Sequence, residues 1–197
     1  MPVISNHSLI LASSSPRRRE MLQSVGLNFK IVPSHVNEEN LVAENPRQHV
    51  KRLSRDKAMA IATKFKNAWV LGADTIVVID GDILGKPSSG REAKMMLKKL
   101  SGREHKVFTG YSLVHMKTEV CATGVVQSSV KFKTISRDEM NWYIACDEPY
   151  DKAGGYALQG KGAYFIESIR GSYTNVIGLP LCEVLETLKR FKVIEFR

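Results

Sequence analysis

One acidic residue stands out because it interrupts an apolar strand. Asp74 lies within the run from Val70 to Ile79, where the other residues are apolar or small apart from Thr75. Burying a carboxylate is costly unless the group is paired, hydrogen-bonded or bound to a metal. Asp74 is therefore either a functional carboxylate or a structural one that is capped by Thr75 or by backbone N–H groups, and the pattern leaves both open.

Three consecutive arginines, Arg17, Arg18 and Arg19, stand where a helix is predicted to begin. Ser15 suits the N-cap position and Pro16 the first turn. Because side chains four residues apart share a helix face, Arg17 and Arg18 lie over apolar residues of the next turn, near the buried side. Unpaired helix N–H groups beside arginines predict an anion site, with phosphate the obvious anion. The alternative is an ordinary surface helix with solvated arginines.

A lysine occupies a core position in the next predicted helix, which spans residues 46–65. Lys57 follows the spacing of the apolar residues Val50, Leu53 and Ile61. Lysine at such a position needs a partner for its ammonium group, unless its stem only crosses the edge of the apolar face.

Two further features are weaker when taken alone. Glu38 and Glu39 lie in a polar loop, where solvated acids are common, but beside a buried Asp and phosphate-binding arginines one of them becomes a candidate Mg²⁺ ligand. The glycine-rich stretches 151–156 and 159–162 either cradle a ligand or form tight structural loops. They match neither a Walker A loop nor a dinucleotide fingerprint.

The elements that must position these residues form a mixed α/β pattern. Strands are predicted at 9–12, 29–32, 70–79, 107–116, 120–134 and 164–169, and helices at 16–25, 46–65, 91–100, 138–146 and 181–191. Asp80-Gly81 predicts a hairpin turn. The helices precede and follow a hairpin-rich centre, so a mixed sheet is favoured over a doubly wound parallel sheet.

Length and composition place these elements in one globular domain. The chain has 197 residues, 43% hydrophobic and 25% charged. No apolar run approaches a membrane span, and no secretory signal is readable, so we expect a cytoplasmic protein that does not bind membranes. The three cysteines have neither disulfide nor zinc spacing and are expected to be buried thiols. The net charge of +9 permits an anionic ligand.

Taken together, these segments resemble the Maf family of nucleoside triphosphate pyrophosphatases. The matching segments, in chain order, are Leu11-Ala12-Ser13-Ser14-Ser15-Pro16-Arg17-Arg18, Asn37-Glu38-Glu39, Lys57-Ala58, Leu71-Gly72-Ala73-Asp74-Thr75, Gly85-Lys86-Pro87, Leu100-Ser101-Gly102, Phe108-Thr109-Gly110, Asp151-Lys152-Ala153-Gly154-Gly155-Tyr156, and Gly171-Ser172-Tyr173 followed by Asn175-Val176-Ile177-Gly178-Leu179-Pro180. The ordered set covers nearly the whole chain. An acid often stands in the family where this chain has Asn37, which leaves Glu38 as the expected ligand.

The resemblance implies a fold and a reaction. The fold is an elongated mixed α/β sheet flanked by helices, in two lobes with a central cleft, similar to inosine triphosphatase. The reaction is hydrolysis of a nucleoside triphosphate to the monophosphate and pyrophosphate, a nucleotide-pool sanitising role, with Mg²⁺, Mn²⁺ or Co²⁺. The family forms homodimers frequently, and no stable nucleic-acid complex is implied.

The resemblance also assigns roles to individual residues. Asp74 is the expected base, and Glu38 and Asp74 the expected metal ligands. Phosphate charge is neutralised by Arg18, Lys57 and Lys86. The remaining substrate-binding and specificity positions are Ser13, Arg17, Thr75 and Gln159.

Three of these positions indicate which base is preferred. Arg17, Thr75 and Gln159 match the branch of the family that looks specific for dTTP and UTP, and the amide of Gln159 complements the edge of uracil or thymine. Two alternatives remain: the same chemistry on 7-methyl-GTP or inosine triphosphate, and a non-catalytic nucleotide or nucleic-acid binder. A nucleic-acid binder would be expected to show aromatic residues interleaved with a basic stripe, and this sequence lacks that pattern.

Overall fold

A seven-stranded sheet is the main element of the computed structural model, which describes residues 3–5, 7–38 and 44–196. The strands are β1 Val3–Ser5, β2 Leu9–Leu11, β3 Lys30–Ile31, β4 Trp69–Ile79, β5 Asp82–Leu84, β6 Glu104–His115, β7 Val120–Phe132, β8 Ile166–Arg170 and β9 Ile194–Phe196. The helices are α1 Pro16–Ser24, α2 Pro46–Ala62, α3 Gly90–Leu100, α4 Arg137–Ile144, α5 Tyr173–Ile177 and α6 Leu181–Arg190.

The sheet is mixed, as the sequence predicts. Its order is β3-β2-β4-β6-β7-β8, and β5 also pairs with β4. Strand β2 lies parallel to β3 and to β4, whereas β5 is antiparallel to β4 and β8 is antiparallel to β7. Strands β1 and β9 form a separate antiparallel pair. The prediction of a twisted mixed sheet flanked by helices is confirmed.

The chain divides into two compact units. The first unit comprises Met1–Asp74, Thr109–Val126 and Gly178–Arg197, and the second comprises Thr75–Phe108 and Gln127–Ile177. Strands β4, β6 and β7 contribute residues to both. The nine candidate site residues are divided between the two units. The first unit contains Ser13, Arg17, Arg18, Glu38, Lys57 and Asp74, and the second contains Thr75, Lys86 and Gln159.

In the first unit, two glycines allow α2 to pack directly against the sheet. A Cβ atom on Gly72 would stand 2.3 Å from the Ser54 carbonyl oxygen and 2.7 Å from the Ala58 nitrogen. A Cβ atom on Gly110 would stand 2.1 Å from the Val50 carbonyl oxygen. Real Cβ atoms do not approach backbone this closely, so only glycine permits this spacing. Because side chains alternate along a strand, Asp74 lies on the same face of β4 as Gly72 and points toward α2.

The second unit has its own core. Fourteen buried residues from its strands and helices form one apolar cluster, which includes Leu97, Phe132 and Tyr143. The hairpin between β4 and β5 turns at Asp80 and Gly81, where φ is 55° and 85°. Positive φ at both central residues is the type I′ turn that suits the strand twist. The predicted hairpin is therefore confirmed.

Most predicted elements occur within a few residues of their expected ends. The predicted strand 164–169 begins only at Ile166, because residues 161–165 form a 3₁₀ helix. The expectation of buried thiols is wrong: Cys121 and Cys182 are exposed and Cys146 is partly buried, although all three are free. Apolar neighbours in the sequence did not decide which face of each element these cysteines occupy. Within the described residues, no helix is long and apolar enough to cross a membrane.

Candidate active site

The segment between β2 and α1 is held by the side chain of Arg18. Its Nε donates to the Gly178 carbonyl oxygen at 2.8 Å, and its Nη1 donates to the Ala73 carbonyl oxygen at 2.9 Å and to Ser13 Oγ at 3.1 Å. Burial lowers the pKa of the Arg18 guanidinium, although the charge of Asp74 acts in the opposite direction. Arg18 thus ties together three chain segments: the middle of β4 at Ala73, the backbone at Gly178 and the segment after β2 at Ser13.

At the N-terminus of α1, the side chains of the helix itself offer few acceptors to the backbone N–H groups. The Ser15 side chain makes no capping hydrogen bond, and the first turn holds no acidic residue. Instead, the Ser15 N–H donates to Ser13 Oγ at 3.2 Å. Arg17 is partly buried on this helix and Arg19 is exposed, while Met21 and Leu22 are buried as expected. The end of a helix with a partial positive charge and nearby arginines is suited to an anion.

A buried lysine joins the two acidic residues singled out in the sequence. Lys57 Nζ lies 2.7 Å from Asp74 Oδ1 and 2.7 Å from Glu38 Oε1. The side chains of Lys57 and Asp74 are 10% and 8% exposed, whereas that of Glu38 is 54% exposed. Asp74 is therefore paired with the lysine rather than capped by Thr75, and Lys57 is a buried, paired lysine rather than one at the edge of an apolar face.

Local structure explains how these three residues meet. Lys57 is one turn past Ser54 on α2, at the point where α2 rests on Gly72. Glu38 follows β3, and the chain after β3 is tied back to β2 by the Val32 N–H, which donates to the Leu11 carbonyl oxygen at 3.1 Å. Glu39 lies outside the described residues.

One oxygen of Asp74 is left without a partner. Asp74 Oδ2 is buried and accepts no hydrogen bond from any residue in the described parts of the chain. An orphaned carboxylate oxygen beside a second carboxylate fits a divalent cation, since Mg²⁺ is usually held by one or two carboxylates together with substrate phosphates. The described residues contain no cluster of three or more His, Cys, Asp or Glu side chains that could enclose a metal alone.

The other three predicted residues belong to the second unit. Thr75 is partly buried on β4, directly after Asp74. Lys86 is exposed in the loop after β5, and its neighbour Gly85 accepts a 2.9 Å hydrogen bond at its carbonyl oxygen from the Gly154 N–H. Gln159 is exposed in the segment before the 3₁₀ helix Lys161–Phe165. The structure thus brings Ser13, Arg18, Glu38, Lys57 and Asp74 together in one network in the first unit and places Lys86 and Gln159 on loops of the second.

The backbone acceptors that hold Arg18 could not be predicted from the sequence. They are the main-chain carbonyls of Ala73 and Gly178, which any residue type could supply. The only signal in the sequence was the position of Arg18 near the buried face of α1.

This network lies within a region that matches a known family. A family model described as Maf-like protein matches residues 8–191. The chain belongs to the Maf-like protein family. The resemblance to the Maf family that the ordered motifs indicate is therefore confirmed. Hydrolases of this family typically need a divalent cation.

Curated relatives align with the chain over most of their length. A protein of Syntrophus aciditrophicus (strain SB) is 58% identical over 95% of this chain and 92% of its own length. A protein of Geobacter sp. (strain M21) is 47% identical over 94% of this chain and 96% of its own. One of Citrifermentans bemidjiense is 46% identical with the same coverage. Each of these three relatives is named dTTP/UTP pyrophosphatase.

The likeness to solved structures is more distant. The Staphylococcus aureus Ham1 protein superposes with a TM-score of 0.49 at 13% identity, covering 81% of this chain and 79% of that one.

Proposed function

We propose that this protein hydrolyses dTTP and UTP to the nucleoside monophosphate and pyrophosphate. The observation that carries the proposal is Asp74: a buried carboxylate with one oxygen bound to Lys57 and the other without a partner among the described residues. A carboxylate placed in this way suits a general base or a metal ligand more than a structural role. The names of the curated relatives support the choice of substrate.

The reaction places one proton on the enzyme. A water oxygen attacks the α-phosphorus, and the water proton passes to Asp74 Oδ2. The bond between the α-phosphorus and the oxygen that bridges to the β-phosphate breaks, and pyrophosphate leaves with the electron pair. Lys57 holds Oδ1 at 2.7 Å and so leaves Oδ2 as the oxygen that is free to accept the proton.

A divalent cation beside these residues would be held by Glu38 and Asp74. When bound, Mg²⁺, Mn²⁺ or Co²⁺ would neutralise charge that develops on the phosphate oxygens. The ammonium of Lys57 contacts both carboxylates, so it keeps them near one another and limits their mutual repulsion.

The triphosphate brings several negative charges that the protein must offset. The N-terminal N–H groups of α1, with Ser13 and Arg17 beside them, form an anion site of the usual kind. Lys57 adds a cation that is already fixed by its partners. Arg18 is fixed by backbone acceptors, so it shapes the site as well as adding positive charge. The resemblance gives Lys86 the same role of offsetting phosphate charge.

The base is proposed to contact Gln159 and the strand position Thr75. An amide offers both a donor and an acceptor, which complements N3–H and O4 of uracil or thymine. The setting that we propose is cytoplasmic, with a homodimer as the assembly and removal of unwanted pyrimidine triphosphates as the role.

The test is pyrophosphate release from UTP, dTTP, 7-methyl-GTP and ITP by the wild-type protein and by Gln159→Glu. We expect the wild type to prefer UTP and dTTP. The substitution keeps the size of the side chain but loses the donor and adds a charge. An unmatched buried polar partner costs ~1–3 kcal/mol, so kcat/KM for the two pyrimidine nucleotides should fall roughly 5- to 150-fold.

The purine nucleotides should lose less. A wild type that prefers 7-methyl-GTP, or a variant that loses activity equally on all four nucleotides, would contradict the role given to Gln159.

A further inference from the structure

A carboxylate outside the predicted site organises the loop that carries Gln159. Glu148 begins the 3₁₀ helix Glu148–Asp151 in the second unit. Its Oε2 accepts the Lys161 N–H at 2.9 Å, and its Oε1 accepts the Gly162 N–H at 2.8 Å and the Tyr143 hydroxyl at 3.0 Å. One side chain therefore joins helix α4 to the backbone that directly follows Gln159.

The loop is shaped to receive this carboxylate. Gly160 has φ 107°, which L side chains rarely adopt, and a Cβ atom there would stand 2.5 Å from Glu148 Oε2. A Cβ atom on Gly162 would stand 2.7 Å from the Tyr143 hydroxyl oxygen. Gly160 thus leaves room for the carboxylate and Gly162 for the tyrosine hydroxyl that donates to it. The carboxylate meets two consecutive backbone N–H groups, an arrangement that binds anions. The glycine-rich stretch 159–162 therefore binds the Glu148 side chain of the same protein.

The charge of Glu148 is favoured in this setting. Burial acts to raise its pKa, but the hydrogen bonds from the Gly162 and Lys161 N–H groups and from the Tyr143 hydroxyl outweigh burial, and the pKa lies below its usual value. Hydrogen bonds to a charged acceptor are about twice as strong as neutral ones. The ionised carboxylate is therefore a strong tie for the loop.

We infer that Glu148 is a positioning residue for base selection: it fixes residues 157–162, here called the Gln159 loop, so that Gln159 is held ready for the nucleobase. The inference rests on the proposed function for the role of Gln159, but not for the ordering of the loop. Gln159 is exposed and hydrogen-bonds to none of the described residues, so its position depends on the backbone on either side of it. That backbone is anchored two residues later, where the Lys161 N–H donates to Glu148.

The first arm of the test is amide hydrogen exchange on the protein without nucleotide. Glu148→Gln keeps the shape but places an amide donor against the backbone N–H donors. We expect exchange at the Lys161 and Gly162 amides to accelerate about tenfold or more, since a hydrogen bond to a charged group is lost. Glu167→Gln, an exposed acid on β8, is the matched control and should leave the loop unchanged. Unchanged exchange in Glu148→Gln would overturn the inference.

The second arm is steady-state kinetics on UTP, dTTP, CTP and GTP. In Glu148→Gln we expect KM for the preferred nucleotide to rise about tenfold, with kcat within about threefold of wild type, because Asp74 and Lys57 belong to the other unit. The ratio of kcat/KM for the preferred nucleotide over the others should fall toward one. A uniform loss on all four nucleotides would show a merely structural role and overturn the inference.

The two arms separate this inference from the proposed function. If the wild type fails to hydrolyse UTP or dTTP, the proposed substrate is wrong, yet the exchange experiment still decides whether Glu148 orders the loop. Tyr143→Phe serves as a second variant should Glu148→Gln not fold. It removes one of the three hydrogen bonds to Glu148, together with the hydrogen bond between the Tyr143 hydroxyl and the Ala157 backbone, and should loosen the same loop.

Discussion

At the scale of single residues, the central feature is a buried lysine shared by two acids. Lys57 contacts Glu38 and Asp74 at the same distance, but only Asp74 is buried with it. Breaking a buried ion pair is costly when it leaves one charge unpaired. Here the lysine has a second carboxylate, so a change at Asp74 removes chemistry without leaving an isolated buried cation.

Asp74→Asn should therefore separate activity from stability. The amide cannot accept the water proton and carries no charge for a metal, and loss of a positioned base costs ~10²–10⁴-fold in rate. The amide oxygen can still accept from Lys57, which keeps Glu38, so we expect the free energy of unfolding to change by about 1 kcal/mol or less. Pyrophosphate release and urea denaturation measure the two effects. Asp138→Asn, an exposed acid on α4, is the control. Near-normal turnover in Asp74→Asn would remove Asp74 from the mechanism.

At the scale of elements, helix α2 can pack directly on the sheet because two strand positions are glycine. Gly72 and Gly110 let its backbone approach β4 and β6, and this approach brings Lys57 to Asp74. A buried hydrogen bond of 2.9 Å between the Ser54 and Ser112 hydroxyls ties α2 to β6 as well. The geometry of the site thus depends on backbone contact between a helix and two strands.

Gly72→Ala should weaken the fold of the first unit. The added methyl group meets backbone atoms of Ser54 and Ala58 that cannot rotate away, and overpacking of this kind costs ~1–3 kcal/mol. Because α2 must shift, the pairing of Lys57 with Asp74 should suffer and turnover should fall too. Gly85→Ala is the control for stability, since a Cβ atom there would have no neighbour within 4 Å. Equal free energies of unfolding in Gly72→Ala and wild type would refute the close packing.

These elements also show how far the sequence could be interpreted. The helical spacing that included Lys57 and the apolar strand around Asp74 were visible, because periodicity reports burial directly. The pairing of β1 with β9 was not, since two strands of three residues at opposite ends of the chain carry no local signal. Glu148 could not be singled out from the sequence, because an acid in Asp147-Glu148-Pro149 resembles any solvated turn. Only the structure shows that Gly160 accommodates its carboxylate and Gly162 the Tyr143 hydroxyl beside it.

At the scale of the whole molecule, one buried histidine should govern stability in mildly acidic solution. His105 on β6 is 2% exposed, and its Nε2 lies 2.7 Å from the Tyr156 hydroxyl. Its ring packs edge-on against Phe132 and Tyr156, and Nδ1 has no hydrogen-bond partner within the described residues. Burial lowers the pKa of His105 to about 4 from an ordinary value of 6.5. The unfolded chain therefore binds this proton more readily than the folded protein.

The free energy of unfolding should accordingly fall as the pH drops below 6.5 and continue to fall until about pH 4. Between pH 7 and pH 5 the loss due to His105 should be about 2 kcal/mol. His105→Gln does not titrate and should flatten this dependence, whereas His35→Gln, at an exposed position, should retain it. Urea denaturation across this pH range provides the measurement. A slope that survives in His105→Gln would assign the effect to other groups.

Attack at the α-phosphorus is tested most directly by the identity of the products formed from UTP. Attack at the α-phosphorus yields UMP and pyrophosphate, whereas attack at the γ-phosphorus yields UDP and phosphate. Chromatography of a UTP digest with a divalent cation present distinguishes the two. The proposed reaction predicts UMP and pyrophosphate in equal amounts, with no more than a trace of UDP. UDP as the main product, or no hydrolysis of UTP or dTTP with any of Mg²⁺, Mn²⁺ and Co²⁺, would contradict it.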